Sequence, residues 1–404
     1  MLKQINGGVC AATGFKANGI HCGIRKNKSK KDLSLIVSSV PAAAAAVYTK
    51  NLVKGAPLTV TKEHLGNKTA QAIICNSGNA NTCNAGGVGV AREMARLAAD
   101  TLGINNEDVI VASTGVIGQP LDPTPIAAAM PELAAGLGDK SDDAAEGIMT
   151  TDTAKKQIAF SFNIGGKECH IGGIAKGSGM IHPNMATMLV FLTTDCAISG
   201  EMLQKALSAD TEDSFNMISI DGDTSTNDMV TILANGLAGN PEITADGADF
   251  DAFKEALSAV TTYLCRSIAA DGEGATKLLE CKVTGAADKA AAKTIAKSVV
   301  CSSLTKAAMF GADANWGRVL CAIGYSGAQT DVTKVGVSFI SSAGSVEVCR
   351  DGAGVDFSEG QAKEILSQKE IVISVSLGDG NADATAWGCD LTYDYVKING
   401  DYRT

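Results

Sequence analysis

The segment from Lys176 to Leu189 holds the residue types whose order best suits covalent chemistry. It reads KGSGMIHPNMATML, a loop with two glycines and a proline that ends at Thr187. The apolar run after Thr187 predicts a buried strand. If the Ala186–Thr187 peptide bond breaks, Thr187 gains a free α-amino group beside its own hydroxyl, which makes a nucleophile with its base built in. We therefore expect a self-cleaving N-terminal nucleophile at this position.

Two further loops follow predicted strands and carry groups that could line a site. Asn76–Gly87 is too rich in asparagine and glycine for regular structure, which suits either a tight turn or the wall of a pocket. Ser113–Gly118 places the Thr114 hydroxyl beside the Gly115 amide, and such a pair can stabilise a developing oxyanion. The simpler interpretation of Ser113–Gly118 is an ordinary turn between a strand and a helix.

The spacing of the aspartates, glycines and histidines gives little support for several other kinds of site. Asp221–Asp228 is rich in aspartate but lacks the glutamate that closes an EF-hand calcium loop, so local Asx turns and helix capping explain it better. No P-loop, dinucleotide-binding glycine motif or serine-hydrolase elbow is found. The four histidines have no metal-ligand spacing, so we expect no metal site. Trp316, within Gly311–Arg318, is interpreted as a packed anchor.

The composition is that of a globular protein and limits its partners. The 404 residues are 45% hydrophobic and 19% charged. A net charge of −10 argues against nucleic-acid or anionic-membrane partners, and the short basic run Arg25–Lys31 is expected to be a solvated loop. The twelve cysteines form no Cys-x-x-Cys pair and the N-terminus has no secretory segment, so we expect reduced thiols and a cytoplasmic location. No apolar run approaches the ~18 residues of a membrane span.

Strands and helices are mixed along the whole chain. Period-two alternation in Ile158–Ile164 predicts a strand, and the apolar spacing of Phe253–Ile268 predicts a long helix. Because the strands do not alternate strictly with helices, we expect an α+β fold of layered sheets. A shift in composition predicts a smaller C-terminal region from about residue 285. The predicted strands are Leu33–Ser39, Ala72–Ser77, Val109–Thr114, Gln157–Ile164, Thr187–Asp195, Lys277–Gly285, Val335–Ile340, Ser345–Arg350 and Ile371–Leu377.

Taken together, these segments resemble one family, the ornithine acetyltransferases, also called glutamate N-acetyltransferases, of arginine biosynthesis. The resemblance is most specific in residues 176–189 and spans essentially the whole chain. One departure is Ala314, where the family pattern has proline, and this position touches no expected catalytic group. The other matching segments, in chain order, are Asn76–Gly87, Ser113–Gly115, Thr150–Thr153, Asp221–Asp228, Gly311–Arg318 and Lys397–Thr404.

The resemblance implies a precursor that cuts itself between Ala186 and Thr187. Residues 1–186 would form an α chain and residues 187–404 a β chain that begins with the nucleophile. The two chains would stay associated, as an α2β2 heterotetramer. The implied fold is a layered αββα-type sandwich, shared with related self-cleaving aminopeptidases, and carries a smaller C-terminal α/β domain.

The resemblance also implies a reaction in two halves. N2-acetyl-L-ornithine gives its acetyl group to Thr187 and leaves as L-ornithine, and L-glutamate then takes the acetyl group to become N-acetyl-L-glutamate. Thr114 and Gly115 would hold the oxyanion. No metal or tightly bound cofactor is implied. Whether acetyl-CoA serves as a second acetyl donor stays open.

Substrate contacts follow from the same resemblance. The threonine run Thr150–Thr153 leaves open which of its hydroxyls makes the contact assigned to Thr151. From the residues alone, Lys176 and Glu273 would be interpreted as surface charges. The implied substrate-binding residues are Thr151, Lys176, Thr187, Glu273, Asn399 and Thr404.

Two other functions remain in competition with acetyl transfer. A self-processing aminopeptidase or amidase would use the same threonine and pass the acyl group to water. A non-catalytic amino-acid-binding or structural protein would keep the fold, remain uncut, and lose no activity when Thr187 is replaced by alanine. The fate of the acyl group distinguishes the first alternative, and the integrity of the chain distinguishes the second.

Overall fold

The computed structural model describes residues 2–182 and 188–401, and these residues form two β-sheets with helices packed around them. The strands, in chain order, are β1 (Lys3–Ile5), β2 (Phe15–Ile20), β3 (Leu33–Tyr48), β4 (Thr69–Asn79), β5 (Val109–Val116), β6 (Lys156–Ile164), β7 (Lys167–Lys176), β8 (Leu189–Thr194), β9 (Ile218–Ser219), β10 (Met229–Ala234), β11 (Leu278–Ala286), β12 (Gly336–Ser341), β13 (Gly344–Arg350), β14 (Ala353–Gly354), β15 (Glu370–Ser376) and β16 (Ala382–Cys389).

Helices lie between these strands in the sequence and cover the sheets. Several begin with a side chain that accepts from a free backbone amide of the first turn, as Ser199, Asp288 and Asn315 do. The helices are α1 (Ala56–His64), α2 (Gly87–Leu102), α3 (Thr124–Ala135), α4 (Ser141–Ile148), α5 (Gly200–Asp213), α6 (Ala248–Ala270), α7 (Lys289–Cys301), α8 (Ser303–Phe310), α9 (Trp316–Gly324), α10 (Glu359–Leu366) and α11 (Tyr393–Asp401).

The long strand β3 joins two halves of the larger sheet, whose strand order is β1-β6-β7-β8-β10-β3-β4-β5 with β2 also beside β3. The first half of β3 pairs with β2, and its second half pairs with β10 on the same side. The register against β4 is interrupted between Val37 and Ala42. Such an irregularity increases local bending and twist, so one strand can belong to both halves.

The two halves form a layered arrangement of helix, sheet, sheet and helix. Because successive strand residues face opposite sides, Ile36 and Ala44 of β3 point into an inner cluster that also holds residues of β5, β8, β10 and α4. Leu35 lies on the other face, against α1, α2 and α3. Val47 lies on that same face farther along β3, against α5 and α6. The expected αββα-type α+β sandwich is therefore confirmed.

The second sheet has the order β14-β13-β12-β15-β11-β16-β9 and forms the smaller C-terminal α/β part of the chain. Helix α7 packs on β11 and β16, and α10 packs on β12 and β13. Helix α6 contacts both sheets, and one buried apolar cluster runs through them. The predicted start of this region at about 285 falls at the end of β11, so the domain boundary stays a prediction.

All nine predicted strands are found: five are longer than expected, three are shifted by one residue and one is shorter. The strand predicted at Thr187–Asp195 is β8, and its first two residues lie outside or at the edge of the described segment. The prediction that Asn76–Gly87 is irregular is wrong for Asn76–Asn79, which continue β4 and pair with β5, and for Gly87, which begins α2, but it holds for residues 80–86. All twelve cysteines are free thiols, and seven are buried. Among the described residues, no helix has the length and apolar character needed to cross a membrane.

Candidate active site

One pocket of about 160 Å³ brings together the described residues that the sequence assigned to the site. Three predicted positions, Ala186, Thr187 and Thr404, lie outside the described residues. The chain leaves the described region at His182 and returns at Met188. The predicted residues on the pocket lining are Thr114, Gly115, Thr151, Lys176, Glu273 and Asn399.

The Thr114–Gly115 wall sits at the end of β5, where it pairs in parallel with β4. Gly115 has a φ of +126°, and a Cβ there would lie 2.3 Å from the carbonyl carbon of Gly78. Only glycine fits this position, because the two backbones approach too closely for any side chain. Thr114 is 9% exposed. A hydroxyl and a backbone amide side by side are the donor types that stabilise an oxyanion.

Lys176 is the last residue of β7 and pairs with Leu189, the first residue of β8. Its side chain lines the pocket, yet the residue is only 8% exposed. The interpretation of Lys176 as a surface charge is therefore wrong. A largely buried ammonium group keeps a strong attraction for an anion, because little water screens it. Lys176 thus marks the part of the pocket that suits a carboxylate.

Behind Lys176 lies a buried ion-pair network that sequence reasoning missed. The Lys156 side chain is 1% exposed and places Nζ 2.7 Å from Asp152 and 2.5 Å from Asp271. Asp152 also accepts from the Gly177 amide at 2.7 Å and from the Thr150 amide at 3.0 Å. One carboxylate therefore fixes both the chain next to Lys176 and the threonine run. The only sequence signal was the Thr-Asp-Thr run itself.

The charges of this network favour ionised Asp152. Burial opposes ionisation of this carboxyl, but the positive charges of Lys156 and Lys176 outweigh burial and hold its pKa well below the usual range. Asp152 is thus an anion that balances two buried cations. Pairing of opposite charges in this way offsets the cost of placing charged groups inside a protein.

The threonine run divides between pocket and network. Thr150 and Thr151 both line the pocket. Thr153 instead donates to Asp271, through its hydroxyl and through its amide at 3.1 Å. Of the three hydroxyls left open by the sequence, those of residues 150 and 151 therefore belong to residues on the pocket lining.

Glu273 and Asn399 form another part of the lining. Asn399 Nδ2 donates to Glu273 Oε2 at 2.8 Å. The Glu273 amide donates to Ser178 O at 2.8 Å, and a Cβ at Gly179 would lie 2.3 Å from the Glu273 carboxyl carbon. Glycine at 179 therefore allows the carboxylate to approach the loop closely. Glu273 is half-buried, so its interpretation as a surface charge is only partly correct.

The Asp221–Asp228 loop holds the chain that leads toward the predicted cleavage site. Asp221 accepts from the Met180 amide at 2.6 Å and the Ile181 amide at 2.9 Å. Thr224 Oγ1 donates to His182 O at 2.8 Å. An Asx turn is present as expected, because the Asp223 amide donates to Asp221 at 3.2 Å. The loop therefore positions residues 180–182.

The same loop also supplies pocket residues that the sequence did not assign. Ser225, Thr226 and Asn227 line the pocket. Asn227 is 4% exposed, accepts from Thr82 Oγ1 at 2.6 Å and donates to Ser113 O at 2.9 Å. It thereby ties the loop to the strand end that carries the predicted oxyanion donors. The density of amide and hydroxyl side chains was the available signal.

His182, the last described residue before the predicted cleavage site, is a neutral imidazole. Burial lowers its pKa to about 4, and the positive charge of Lys297 acts in the same direction. Its Nδ1 lies 3.1 Å from Ser219 Oγ and 3.5 Å from Cys301 Sγ. This histidine is therefore not a cation at pH 7.

Among the described residues, the pocket lining offers the ammonium group of Lys176, the carboxylate of Glu273 and several hydroxyls to a small ligand. Lys176 and Glu273 carry opposite charges on the same lining, which suits a molecule that itself has both an anionic and a cationic end. A free amino acid or its derivative meets this description. The pocket is also smaller than the clefts that bind drug-sized ligands.

Known proteins match this chain along its whole length. A family model described as the ArgJ family matches residues 16–404. The arginine biosynthesis bifunctional protein ArgJ of Symbiobacterium thermophilum is 53% identical over 406 residues, covering 100% of this chain and 100% of that protein. The protein of the same name from Bacillus subtilis is 48% identical over 408 residues, covering 100% of this chain and 98% of that protein.

A solved structure adds a match in three dimensions. The crystal structure of the arginine biosynthesis bifunctional protein argJ of Bacillus halodurans matches with a TM-score of 0.51 and 47% sequence identity. The match covers 54% of this chain and 100% of that chain.

Proposed function

Because this chain belongs to the ArgJ family, we propose that it is a self-processing acetyltransferase of arginine biosynthesis that moves acetyl from N2-acetyl-L-ornithine to L-glutamate. As an enzyme it is a glutamate N-acetyltransferase, or ornithine acetyltransferase. The observation that carries the proposal is the single pocket that gathers Thr114, Gly115, Lys176 and Glu273. Its lining strand β7 ends opposite Leu189, which follows Thr187 by two residues in the sequence.

The charges of the pocket support binding of both amino acids. The Lys176 ammonium pairs with a substrate carboxylate, and Glu273 pairs with the side-chain ammonium of the ornithine substrate. Thr151 and Asn399 contact the substrate from the threonine run and from α11. Thr404 completes the site from the C-terminus. Glutamate, which has no side-chain ammonium, uses the Lys176 contact in the second half-reaction.

Thr187 carries the acetyl group between the two substrates. Its Oγ attacks the acetyl carbonyl of N-acetylornithine, the C–N bond breaks, and ornithine leaves with the proton from the hydroxyl. The glutamate amine then attacks the acetyl-threonine ester, and the threonine oxygen recovers a proton. Thr114 and Gly115 stabilise the oxyanion in both steps, and loss of one such donor typically costs about 2.7–4 kcal/mol of barrier.

The α-amino group that cleavage creates serves as the proton carrier. An N-terminal amine has a reference pKa of about 7.7–8.0, which is close to the working pH. It can therefore accept the hydroxyl proton of Thr187 and return it to the leaving amine. No step of this route requires a metal or a bound cofactor.

The length of the solved relative supports cleavage between Ala186 and Thr187. The match to the Bacillus halodurans structure covers that chain completely and 54% of this one. Of 404 residues, 54% is about 218, and the segment from Thr187 to Thr404 also contains 218 residues. A β chain of 187–404 that stays associated with an α chain of 1–186, in an α2β2 assembly in the cytoplasm, is part of the proposal.

Acetyl-CoA is proposed as a second acetyl donor to the same threonine. Relatives across the whole length are named bifunctional proteins of arginine biosynthesis, which supports more than one activity. Acetyl-CoA then acts as a co-substrate: its acetyl group passes to Thr187, and CoA leaves as the free thiol.

The test is a two-substrate kinetic study with direct detection of the intermediate. With N-acetylornithine and glutamate varied together, we expect parallel double-reciprocal lines, and a mass increase of one acetyl group on the peptide that begins at Thr187. Intersecting lines without an acetylated peptide would contradict the covalent route. Release of free acetate instead of N-acetylglutamate would favour the aminopeptidase or amidase alternative.

A further inference from the structure

A compact group of lysines lies close to the pocket and has no part in the transfer described above. Residues Arg25–Lys31 contain five of the 34 basic residues of a chain whose net charge is −10. The Lys30 amide donates to Asn27 O at 3.2 Å, which closes residues 27–30 into a turn. Lys26, Lys28 and Lys30 are thereby gathered on one short, exposed loop.

Three of these charges are not neutralised by the protein. Lys26, Lys28 and Lys30 are exposed, and within residues 2–182 and 188–401 no carboxylate lies within ion-pair distance of their ammonium groups. Lys31 differs, because it pairs with Asp143 and with Glu146 at 3.2 Å. Like charges on one short loop repel each other, so an added polyanion would be bound favourably.

Arg25 connects this loop to the wall of the pocket. Its guanidinium donates to Met149 O, beside the threonine run. Its side chain also packs on Gly78, where a Cβ would lie 2.9 Å from Arg25 Cγ, and Gly78 pairs with Gly115. Lys30 is five residues beyond Arg25, which is at most about 18 Å of extended chain. The three lysines therefore lie near the pocket but outside it.

We propose that the loop Arg25–Lys31 binds the phosphate groups of a phosphorylated acyl thioester, acetyl-CoA being the one we would test, while its acetyl end enters the pocket. Lysine ammonium groups act as point charges that bind phosphate oxygens. In such a donor a long flexible arm separates the phosphates from the acetyl group. The phosphates could therefore lie on the loop while the acetyl group lies beside Gly115.

This inference rests on the proposed function, because the acetyl group must reach the same nucleophile. The thioester C–S bond breaks, the acetyl carbon bonds to the Thr187 oxygen, and the hydroxyl proton leaves on the thiol. N-acetylornithine carries no phosphate, so the loop would discriminate between the two donors without touching the reacting atoms.

The test compares three acetyl donors on the triple variant Lys26→Gln, Lys28→Gln, Lys30→Gln. For acetyl-CoA we expect KM to rise about tenfold with kcat little changed, because three exposed charge contacts are lost. For S-acetyl-N-acetylcysteamine, which has no phosphate, and for N-acetylornithine, kcat/KM should equal that of the unmodified protein. The KM for acetyl-CoA should also rise with salt in the unmodified protein and not in the variant.

The matched control removes three lysines elsewhere, as Lys167→Gln, Lys363→Gln, Lys369→Gln, all of them exposed. This control should leave the KM for acetyl-CoA unchanged. An unchanged KM in the loop variant would overturn the inference. So would transfer from N-acetylornithine with no transfer from acetyl-CoA, which would also remove the proposed second donor but leave the proposed transfer from N-acetylornithine to glutamate intact. If the unmodified protein transfers acetyl from none of the three donors, both the inference about the loop and the proposed function are overturned.

Discussion

Two regions of the pocket lining are held by the protein in different ways. The first, which we name the sheet wall, consists of Thr114, Gly115 and Lys176 at strand ends, and both Thr114 and Lys176 are less than 10% exposed. The second, the helical wall, is α11 with Asn399, and α11 buries none of its residues. Asn399 lines the pocket and donates one hydrogen bond to Glu273.

The difference assigns separate tasks to the two walls. Buried ion pairs and a close backbone approach fix the sheet wall before any ligand arrives, as stabilisation of a developing charge requires. An exposed helix attached by few buried contacts can adjust at low cost, which suits the side of the pocket that distinguishes one substrate from another. Changes in the sheet wall should therefore affect rate and stability, and changes in the helical wall should affect substrate affinity.

The largest effect is expected from Gly115→Ala in the sheet wall. The added Cβ would lie 2.3 Å from backbone atoms of Gly78, so the wall must move and the Gly115 amide with it. We expect kcat for acetyl transfer to fall about 100- to 1,000-fold, the usual consequence of losing an oxyanion donor. Steady-state kinetics on purified variant measures this directly.

Gly118→Ala is the matched control for that change. Gly118 also has a positive φ, +80°, but no atom lies within 4 Å of its Cβ position. It should carry the conformational penalty without displacing the wall, and so keep kcat within a few-fold of the unmodified protein. Equal losses in both variants would mean that backbone strain, and not the position of the Gly115 amide, explains the defect.

Asp152→Asn should be the most damaging change to stability. It leaves buried Lys156 with only Asp271 and removes the charge that balances Lys176. Breaking a buried pair typically costs 3–5 kcal/mol, and because one carboxylate remains we expect about 3 kcal/mol in the free energy of unfolding. Urea unfolding in a Thr187→Ala background, which keeps the chain in one piece, provides the measurement.

The exposed pair Asp142–Lys155 supplies the control for the buried network. Its two side chains are 60% and 44% exposed, so Asp142→Asn should cost well under about 1 kcal/mol. If both variants lose the same small amount, the network contributes no more than a surface ion pair, and the proposed rigidity of the sheet wall has no energetic basis.

The stabilising effect of Asp152 should depend on pH in a defined direction. Its pKa is lowered in the folded protein, so its contribution is complete above the unfolded value of about 3.9 and is lost as the pH falls through the folded value. The difference in stability between unmodified protein and Asp152→Asn should thus be constant from about pH 5 to 8 and shrink below about pH 4. A difference that grows in acid would reverse the assigned sign.

The smallest effect is expected from Asn399→Ala in the helical wall. Loss of one solvent-accessible hydrogen bond to Glu273 should raise the KM for N-acetylornithine about fivefold, with kcat and stability nearly unchanged. Lys397→Ala, on the exposed surface of the same helix, should change neither constant. A fall in kcat for Asn399→Ala would place part of the catalytic geometry on α11 and remove the distinction between the walls.

Several residues that line the pocket could be predicted from the sequence, but the buried network that supports them could not. Strands such as β6 follow from local alternation, and the site positions followed from a family resemblance that the family match confirms. The Asp152–Lys156–Asp271 network was not predictable, because Asp271 is 115 residues away from Lys156 in the chain. Burial of Lys176 was missed for the same reason, since neighbours distant in sequence determine it.

The measurement that tests the central claim most directly is the intact mass of the denatured protein and of its Thr187→Ala variant. We predict two species from the unmodified protein, with masses that sum to the 41.2 kDa chain plus one water, the second beginning at Thr187. The variant should be a single uncut chain without transferase activity. An unmodified protein that remains uncut and still transfers acetyl to glutamate would contradict the mechanism, because its Thr187 would have no free α-amino group.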